Sequence, residues 1–157
     1  MEIYTDGSSL GNNSNMDTPG GWAFVVVDNN TESFYRCDGS VRSTNNMMEL
    51  QAMIEALMYV KLNNIRECII YTDSNYVNMG LNIWSKKWVK NGFKSSTGSP
   101  IKNQGQWRGM IELKEHLPGI QIKWVKAHAD NVWNNRADFL ARTSAERMKV
   151  FKEEVSR

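Results

Sequence analysis

The sequence predicts an α/β fold in which a five-stranded mixed β-sheet, three antiparallel strands followed by two parallel ones, is flanked by helices. Three observations predict it. Residues 3–8 read IYTDGS and residues 70–75 read IYTDSN, so a strand-like run that ends on an aspartate occurs twice. Two more strand-like runs follow the first copy, with an asparagine-rich turn between them. A long helical pattern then leads to the second copy.

The strands are predicted where β-branched and aromatic residues cluster between turn-forming residues. They are residues 2–6, 22–27, 31–37, 67–72 and 120–125. Residues 7–21 are rich in Gly, Asn and Ser and predict a loop, whereas the Asp-Asn-Asn sequence at 28–30 predicts a hairpin turn. We therefore expect the first three strands to form an antiparallel meander.

The helices are predicted from apolar residues spaced three and four apart. The strongest pattern covers residues 47–62, after several candidate caps at 43–46. Its expected buried stripe is Met47, Leu50, Ile54 and Leu57. A short helix from Ser74 is expected to stop at Gly80. Further helices are expected at 81–89, at 104–116 and from 134 to near the end, where the helix becomes a charged tail from about residue 145. A loop is expected at 91–103.

The length of 157 residues predicts one domain, residues 1–157, that is large enough to bury a core. No apolar run approaches the roughly 20 residues that a membrane span needs, so no membrane partner is expected. Because a strand begins at once, we expect no signal or transit peptide. Because Cys37 and Cys68 form no redox or metal motif, we expect a reduced, cytoplasmic setting.

The net charge of +2 is unevenly distributed along the chain. Residues 74–111 contain no Asp or Glu, and the tract at 84–94 interleaves cations with aromatics. Its candidate nucleic-acid contacts are Trp84, Lys86, Lys87, Trp88, Lys90 and Lys94. The two tryptophans could instead simply pack together, since they share a helix face, and the lysines could form an ordinary solvated face. The absence of acids from this window favours contact with a polyanion.

Four acids stand where strand or helix ends would expose them: Asp6, Glu49, Asp73 and Asp138. Singly, the two strand-end aspartates could be turn or cap residues, Glu49 could complete a capping box with Asn46, and Asp138 could be a solvated helix residue. Parallel neighbouring strands, however, bring their carboxyl ends to one sheet edge, where open α/β sheets bind ligands. Carboxylates that close need a shared proton or a metal, and converging oxygen ligands suit Mg²⁺.

The sequence lacks the residue patterns that other kinds of catalysis need. The sequence has no Cys/His cluster for zinc, no Walker A pattern for a nucleotide and no nucleophile elbow for a Ser/His/Asp triad. His128 follows the last predicted strand and should lie at the same sheet edge as the carboxylates, which favours a catalytic role over a structural one. His116 is interpreted as an ordinary helix-end residue.

Six motifs in series resemble the ribonuclease H family, in particular its cellular type 1, bacterial-like members with a basic protrusion. They are residues 4–8 (YTDGS), 44–50 (TNNMMEL), 72–74 (TDS), the tract at 84–94, 124–129 (WVKAHA) and 134–141 (NNRADFLA). The resemblance runs from residue 3 to about residue 144. It implies a monomeric endonuclease that cleaves the RNA strand of an RNA–DNA hybrid and leaves 5′-phosphate and 3′-hydroxyl ends.

The resemblance also implies two Mg²⁺ ions, with Mn²⁺ as a substitute, and a role for each acid. Asp6 would bridge both ions, and Asp138 would help to hold the ion on the side of the attacking water. Glu49 and Asp73 would hold the ion on the leaving-group side, because paired ions stabilise both oxygens of an in-line displacement. His128 matches a mobile loop histidine that assists proton transfer or product departure.

For the hybrid, the resemblance implies contacts near the 2′-hydroxyls, which distinguish RNA from DNA. The residues at those positions are Ser9, Asn12, Asn45 and Asn75. Thr44 falls at a DNA-phosphate position, and the tract at 84–94 matches the basic protrusion that holds the DNA strand. Asn134 matches a residue that orients the active site.

The sequence departs from the family pattern in two places. Residues 13–18 lengthen the first loop, and Asp130, followed by Trp133, stands where the family typically has Gly. Two rival functions are a hybrid-binding module without catalysis and an integrase- or resolvase-type nuclease that acts on DNA. The four acids argue against the first rival, and Asn45, Asn75 and the basic tract argue against the second.

Overall fold

A computed structural model of the protein describes residues 1–11 and 17–156. Its strands are β1 (Glu2–Ser9), β2 (Thr18–Asp28), β3 (Thr31–Ser43), β4 (Cys68–Thr72) and β5 (Ile120–Trp124). Its helices are α1 (Asn45–Leu62), α2 (Asn75–Met79), α3 (Ser85–Asn91), α4 (Gln104–Glu115) and α5 (Val132–Val155), with a π-helical turn (Gly80–Trp84) between α2 and α3. None of the helices in these described ranges combines the length and apolar character needed to cross a membrane.

The five strands form one mixed sheet in the order β3-β2-β1-β4-β5. β2 pairs antiparallel with β1 and β3, whereas β4 pairs parallel with β1 and β5. The register aligns the two copies of the repeated motif, because Tyr4 pairs with Tyr71 and Thr5 pairs with Thr72. The predicted fold class is confirmed, and the residues that precede Asp6 and Asp73 lie side by side.

Helices cover both faces of the sheet. α1, α2 and α4 pack on one face around a core that includes Leu50, Met53, Leu57, Ile70 and Trp107. α5 packs on the other face against a smaller core that includes Tyr4, Val25, Val27, Ala137 and Leu140. Neighbouring residues of β1 serve different cores, as the two-residue repeat of a strand requires. α1 and α5 are thereby held on opposite sides of β1, the strand that carries Asp6.

The first loop is shorter than predicted, because β1 and β2 continue into it and Gly7 lies within the sheet. The glycines here serve close packing. A Cβ on Gly7 would lie 2.2 Å from the backbone nitrogen of Glu49, and one on Gly21 would lie 2.2 Å from the carbonyl oxygen of Ala141. The loop predicted at 7–21 is therefore wrong at both ends, and residues 12–16 lie outside the described ranges. β3 also extends past its predicted end.

Residues 75–91 form one continuous helical segment, not two helices separated at Gly80. Gly80 has right-handed helical backbone angles, and the chain passes through the π-helical turn into α3. A Cβ at this position would lie 2.0 Å from the ring of Trp107 on α4. The prediction that this glycine stops a helix was wrong, because the glycine instead allows α4 to approach. The segment ends at Gly92, whose φ of 75° is left-handed.

Helix α1 begins earlier than predicted, with Thr44 as its N-cap. The Thr44 Oγ1 accepts a hydrogen bond from the backbone N–H of Met47 at 3.2 Å. Asn46 therefore lies inside the helix, so the alternative in which Glu49 completes a capping box with Asn46 is wrong. The predicted stripe is partly wrong, because Met47 and Ile54 are only partly buried. The buried face consists of Met48, Glu49, Leu50, Ala52, Met53, Ala56, Leu57 and Val60.

Candidate active site

Three carboxylates meet at the edge of the sheet where the parallel pairing of β1 with β4 ends. One oxygen from each of Asp6, Glu49 and Asp73 lies within 4.8 Å of the other two. Asp6 is 4% exposed and Glu49 is 8% exposed, while Asp73 is half-buried. Across residues 1–11 and 17–156, no other group of three acidic, histidine or cysteine side chains comes this close together. The repeated strand motif and the start of α1 thus supply one compact set of oxygen ligands.

The backbone of Gly7 holds two of these carboxylates in place. Its N–H donates to Oδ1 of Asp6 at 2.9 Å and to Oε1 of Glu49 at 2.6 Å. Helix α1 can approach β1 this closely because residue 7 has no Cβ. A single backbone group therefore fixes the positions of both side chains relative to the strand.

Burial raises the pKa of the Asp6 carboxyl well above its ordinary value, and the negative charges of Asp73 and Asp138 raise it further. Burial likewise raises the pKa of Glu49 well above its ordinary value, with added repulsion from Asp6 and Asp73. Either protons or a bound cation can relieve this repulsion. Clustered carboxylate oxygens are the donors that Mg²⁺ and other hard divalent cations prefer, so the residues present fit a divalent metal.

Asp138, on α5, lies at the same cavity but outside the tight trio. The cavity has a volume of about 550 Å³ and is lined by all four predicted acids and by His128. Asp138 is close enough to Asp6 to raise its pKa both by charge and by a hydrogen bond. Its Oδ2 accepts a hydrogen bond from Nε of Arg142 at 2.9 Å. The structure therefore brings the four acids of the sequence analysis to one cavity.

Two residues support Asp73 from outside the cluster. Nδ2 of Asn134 donates to Oδ2 of Asp73 at 3.4 Å, and the indole N–H of Trp124 donates to the Asp73 backbone carbonyl at 3.1 Å. Asn134 is 1% exposed, and among the described residues its Oδ1 is a buried side-chain atom without a hydrogen-bond partner.

His128 lines the cavity from the loop between β5 and α5. Its backbone is left-handed, with φ of 55°, which is uncommon for a residue other than glycine. Asn131 caps α5 by accepting a hydrogen bond from the N–H of Asn134 at 2.9 Å, so the helix begins earlier than predicted. Nδ2 of Asn135 donates to the carbonyl of Ala129 at 3.2 Å. The loop that carries the histidine is thus tied to the first turn of α5.

The two residues that depart from the family pattern lie away from the carboxylates. The indole N–H of Trp133 donates to Oδ1 of Asn30 at 3.3 Å and so ties the start of α5 to the β2–β3 turn. Asp130 is exposed and is not among the residues that line the cavity. Trp133 therefore serves as an anchor between two elements, and Asp130 adds no ligand to the acidic cluster.

The residues predicted near the 2′-hydroxyls lie partly at the cavity. Asn45 and Asn75 line it from the N-termini of α1 and α2. The backbone N–H of Ser9 donates to Oδ1 of Asn45 at 3.1 Å and holds that amide in place. Asn12 lies outside the described residues. Thr44, predicted near a DNA phosphate, also uses its side-chain oxygen to cap α1.

The basic tract forms the end of the π-helical turn, α3 and the start of the next loop. Its lysines are exposed and make no salt bridge with any described residue. They are Lys86, Lys87, Lys90 and Lys94. Trp84 is 37% exposed, whereas Trp88 is half-buried with its ring centroid 4.9 Å from that of Trp107. The ring centroids of Trp84 and Trp88 lie 5.8 Å apart, so the two tryptophans do pack together, while the lysines face solvent.

Seven of the described residues that line the cavity were not among the predicted site residues: Gly7, Ser8, Asn46, Ser74, Tyr76, Ala127 and Arg142. Ser74 is the N-cap of α2 and accepts a hydrogen bond from the N–H of Val77 at 3.1 Å. Arg142 carried a signal, because it follows Asp138 by four residues and so shares its helix face. Nothing in the local sequence marked Tyr76 as a site residue.

The carboxylates cluster where two parallel strands stop pairing, and an exposed lysine-rich helix lies in the same protein. Together the fold and the site define a metal-dependent nuclease. The RNase H family model matches residues 1–146. Ribonuclease H of Parvibaculum lavamentivorans is 41% identical over 143 residues, covering 90% of this chain and 89% of that protein. Ribonuclease H of Pseudoalteromonas atlantica is 42% identical over 147 residues, covering 92% of this chain and 90% of that protein. The chain therefore belongs to the ribonuclease H family.

Solved structures show the same fold. LC9-RNase H1, a type 1 RNase H with the type 2 active-site motif, has a TM-score of 0.78 at 27% identity, covering 94% of this chain and 72% of that chain. The solution structure of the PFV RNase H domain has a TM-score of 0.79 at 24% identity, covering 92% and 93%. The family resemblance stated from the sequence motifs is confirmed.

Proposed function

We propose that this protein is an endoribonuclease that hydrolyses the RNA strand of RNA–DNA hybrids and leaves 5′-phosphate and 3′-hydroxyl ends. The observation that carries the proposal is the clustering of Asp6, Glu49 and Asp73 within 4.8 Å. Asp138 and His128 line the same cavity. Family membership supports the same reaction. A protein that only bound an anionic duplex would gain nothing from holding repelling carboxylates together.

We propose Mg²⁺ as the cofactor, with two ions and with Mn²⁺ as a substitute, because clustered carboxylate oxygens suit a hard divalent cation. Asp6 would contact both ions, Glu49 and Asp73 would hold one, and Asp138 would hold the other. Paired divalent cations stabilise the charge that develops on the attacking and leaving oxygens during phosphodiester hydrolysis. The raised pKa values of Asp6 and Glu49 reflect the burial and repulsion that such cations would relieve.

The remaining side chains orient the substrate and move protons. His128 lines the cavity and would carry a proton to or from the reacting oxygens. Asn134 holds the Asp73 carboxylate through Nδ2. Asn45 and Asn75 would contact the 2′-hydroxyls of the RNA strand. The exposed lysines of the basic tract would contact phosphates of the DNA strand.

We expect the enzyme to act as a monomer, because one chain supplies every acid of the described cavity. We also expect it to work in the cytoplasm, where Cys37 and Cys68 would stay reduced. Both cysteines are unpaired in the structure.

One labelled RNA strand, offered in three forms, tests the reaction and the substrate together. The RNA is hybridised to DNA, hybridised to RNA, or left single-stranded, and each form is incubated with Mg²⁺ or with EDTA. We expect cleavage of the RNA–DNA hybrid alone, and only with Mg²⁺. Tight hybrid binding without cleavage would instead support a binding module, and cleavage of duplex DNA in a parallel reaction would support a DNA-directed nuclease.

A further inference from the structure

Arg142 is the only lysine or arginine among the described residues that line the carboxylate cavity. Its Nε donates to Oδ2 of Asp138, one helical turn earlier on α5, at 2.9 Å. The Arg142 side chain is 57% exposed, whereas that of Asp138 is 21% exposed. The guanidinium therefore lies at the cavity wall, paired with one of the four site acids and open to solvent.

An ion pair between residues four apart on a helix surface is common and contributes little to stability. Two features distinguish this pair. Arginine has five N–H donors, and within the described residues Arg142 uses only Nε, so its two terminal nitrogens have no protein acceptor. Its partner Asp138 also raises the pKa of Asp6, so the ion pair lies close enough to affect the charge of the site.

The helix that carries Arg142 is fixed, while its side chain is free to turn. The flanking residues Ala141 and Ala145 are fully buried. The carbonyl oxygen of Ala141 packs so closely on Gly21 that a Cβ there would lie 2.2 Å away. The backbone at Arg142 is thus held against β2, and the guanidinium can change its partner by side-chain rotation alone.

A cavity lined by four carboxylates repels the phosphates that a nuclease must admit. Arginine is the side chain best suited to bind a phosphate, because it offers two parallel charge-assisted hydrogen bonds. We propose that Arg142 is a phosphate-binding residue of this site. Asp138 holds its guanidinium in the metal-free protein, and the guanidinium transfers to a substrate phosphate once a divalent cation binds that carboxylate. This inference rests on the proposed function and adds a substrate contact to it.

The proposal gives Arg142→Gln two measurable effects. Removal of the competing guanidinium should lower the Mg²⁺ concentration for half-maximal thermal stabilisation by about two- to fivefold. Removal of a phosphate contact should raise the KM for the hybrid about tenfold, with kcat changed by less than about twofold. The slope of log KM against log salt should also fall by about 0.9, the contribution of one phosphate.

The experiment compares the wild type with Arg142→Gln, Arg142→Lys and the control Arg147→Gln. Arg147 is exposed on the same helix and does not line the cavity, so its replacement removes the same charge from α5. Thermal unfolding is followed against Mg²⁺ concentration without nucleic acid, and steady-state cleavage of a labelled hybrid gives KM and kcat at several salt concentrations. Arg142→Lys keeps the charge but loses the paired hydrogen bonds, so its KM should lie between the others.

Shifts of both the Mg²⁺ midpoint and KM in Arg142→Gln, absent from Arg147→Gln, would support the proposal. A midpoint or a KM equal to that of the control would overturn it and make the contact with Asp138 an ordinary surface pair. Unfolding in EDTA within about 2 °C of the control establishes that the variant is folded. A wild type that cleaves no hybrid would instead contradict the proposed function, whatever residue stands at position 142.

Discussion

The carboxylate corner (Asp6, Glu49 and Asp73) and helix α3 both concentrate like charges, but they are built in opposite ways. In the corner, the N–H of Gly7 donates to the buried carboxylates of Asp6 and Glu49, and Nδ2 of Asn134 donates to Asp73. Helix α3 has no buried residue, and its lysines face solvent. Repulsion is therefore strong in the corner, where Asp6 and Glu49 are buried, and weak along α3, where water and salt screen it.

This contrast separates the parts of the molecule that affect folding from those that affect binding alone. Charge and backbone packing are coupled in the corner, so a substitution there should change both the reaction and the stability. On α3 the lysines support no other group, so a substitution there should change affinity and leave stability nearly unchanged. Four variants test this division, three at or beside the corner and one double variant on α3.

Asp73→Asn should lower kcat by about 10²–10³-fold or more, because it removes one charge from the set that would hold the cations. Hybrid affinity in EDTA should stay within about twofold of the wild type, since the exposed lysines are unchanged. Single-turnover cleavage and fluorescence anisotropy measure the two quantities. Asp28→Asn, at an exposed position, is the charge-matched control. Full activity of the Asp73 variant would remove that residue from the site.

Gly7→Ala should destabilise the fold by about 3 kcal/mol and strongly reduce activity, because overpacking forces α1 away from β1. The added Cβ would lie 2.2 Å from the backbone nitrogen of Glu49. Gly109→Ala on α4 is the control, since a Cβ there meets nothing within 4 Å. That control should be neutral or more stable by about 0.5–1 kcal/mol. Urea unfolding of both variants measures the difference, and equal stabilities would contradict the packing argument.

Lys86→Gln combined with Lys87→Gln should raise the KM for the hybrid about tenfold and leave kcat and the unfolding midpoint unchanged. The slope of log affinity against log salt should fall by about 1.8, which corresponds to two phosphate contacts. Lys61→Gln combined with Lys149→Gln removes the same charge from exposed positions outside α3. An equal slope for the two double variants would show that the α3 lysines form only a solvated face.

Glu49→Gln should stabilise the metal-free protein at pH 7 while abolishing cleavage. Folding raises the pKa of Glu49 above its ordinary value of 4.5, so the wild type in EDTA should lose stability as pH rises above 4.5 toward the folded-state pKa. The amide of the Gln variant does not titrate, so the extra stability of this variant over the wild type should vanish as pH falls toward 4.5. We expect the unfolding temperature of the variant at pH 7 to exceed that of the wild type by about 3–6 °C, which corresponds to about 1–2 kcal/mol of relieved repulsion. Thermal scans across pH measure it, and a variant less stable at every pH would refute the account.

Much of the sheet could be predicted because its signals are local. The repeated IYTD sequence predicted two equivalent strands, and Asn29 and Asn30 adopt the positive φ values of 50° and 57° that the predicted hairpin turn needs. Gly7, Gly21 and Gly80 were misread, because glycine has the same local signature in a loop and in a tight contact. In each case the reason for glycine lies in a distant element: α1, α5 or the ring of Trp107.

The candidate site, like the fold, could be predicted from the sequence only in part. The four acids could be predicted from their places at strand and helix ends, whereas their separations could not, since these depend on how α1 and α5 pack. The support of Asp73 by Trp124 had no sequence signal, because the bond joins residues 51 positions apart. Trp88 was predicted as a nucleic-acid contact, but its sequence could not reveal that Trp107 would cover it.

The acids of the cavity come from nearly the whole length of the chain, since β1 supplies Asp6 and α5, the last helix, supplies Asp138. A chain that emerges from the ribosome in order exposes α5 last. Until α5 docks, the sheet face that includes Tyr4 and Val25 is uncovered and Asp138 is missing from the cavity. If α3 binds nucleic acid as proposed, a chain whose α5 has not docked should bind a hybrid without cleaving it. On this account, nuclease activity becomes available only when folding is complete.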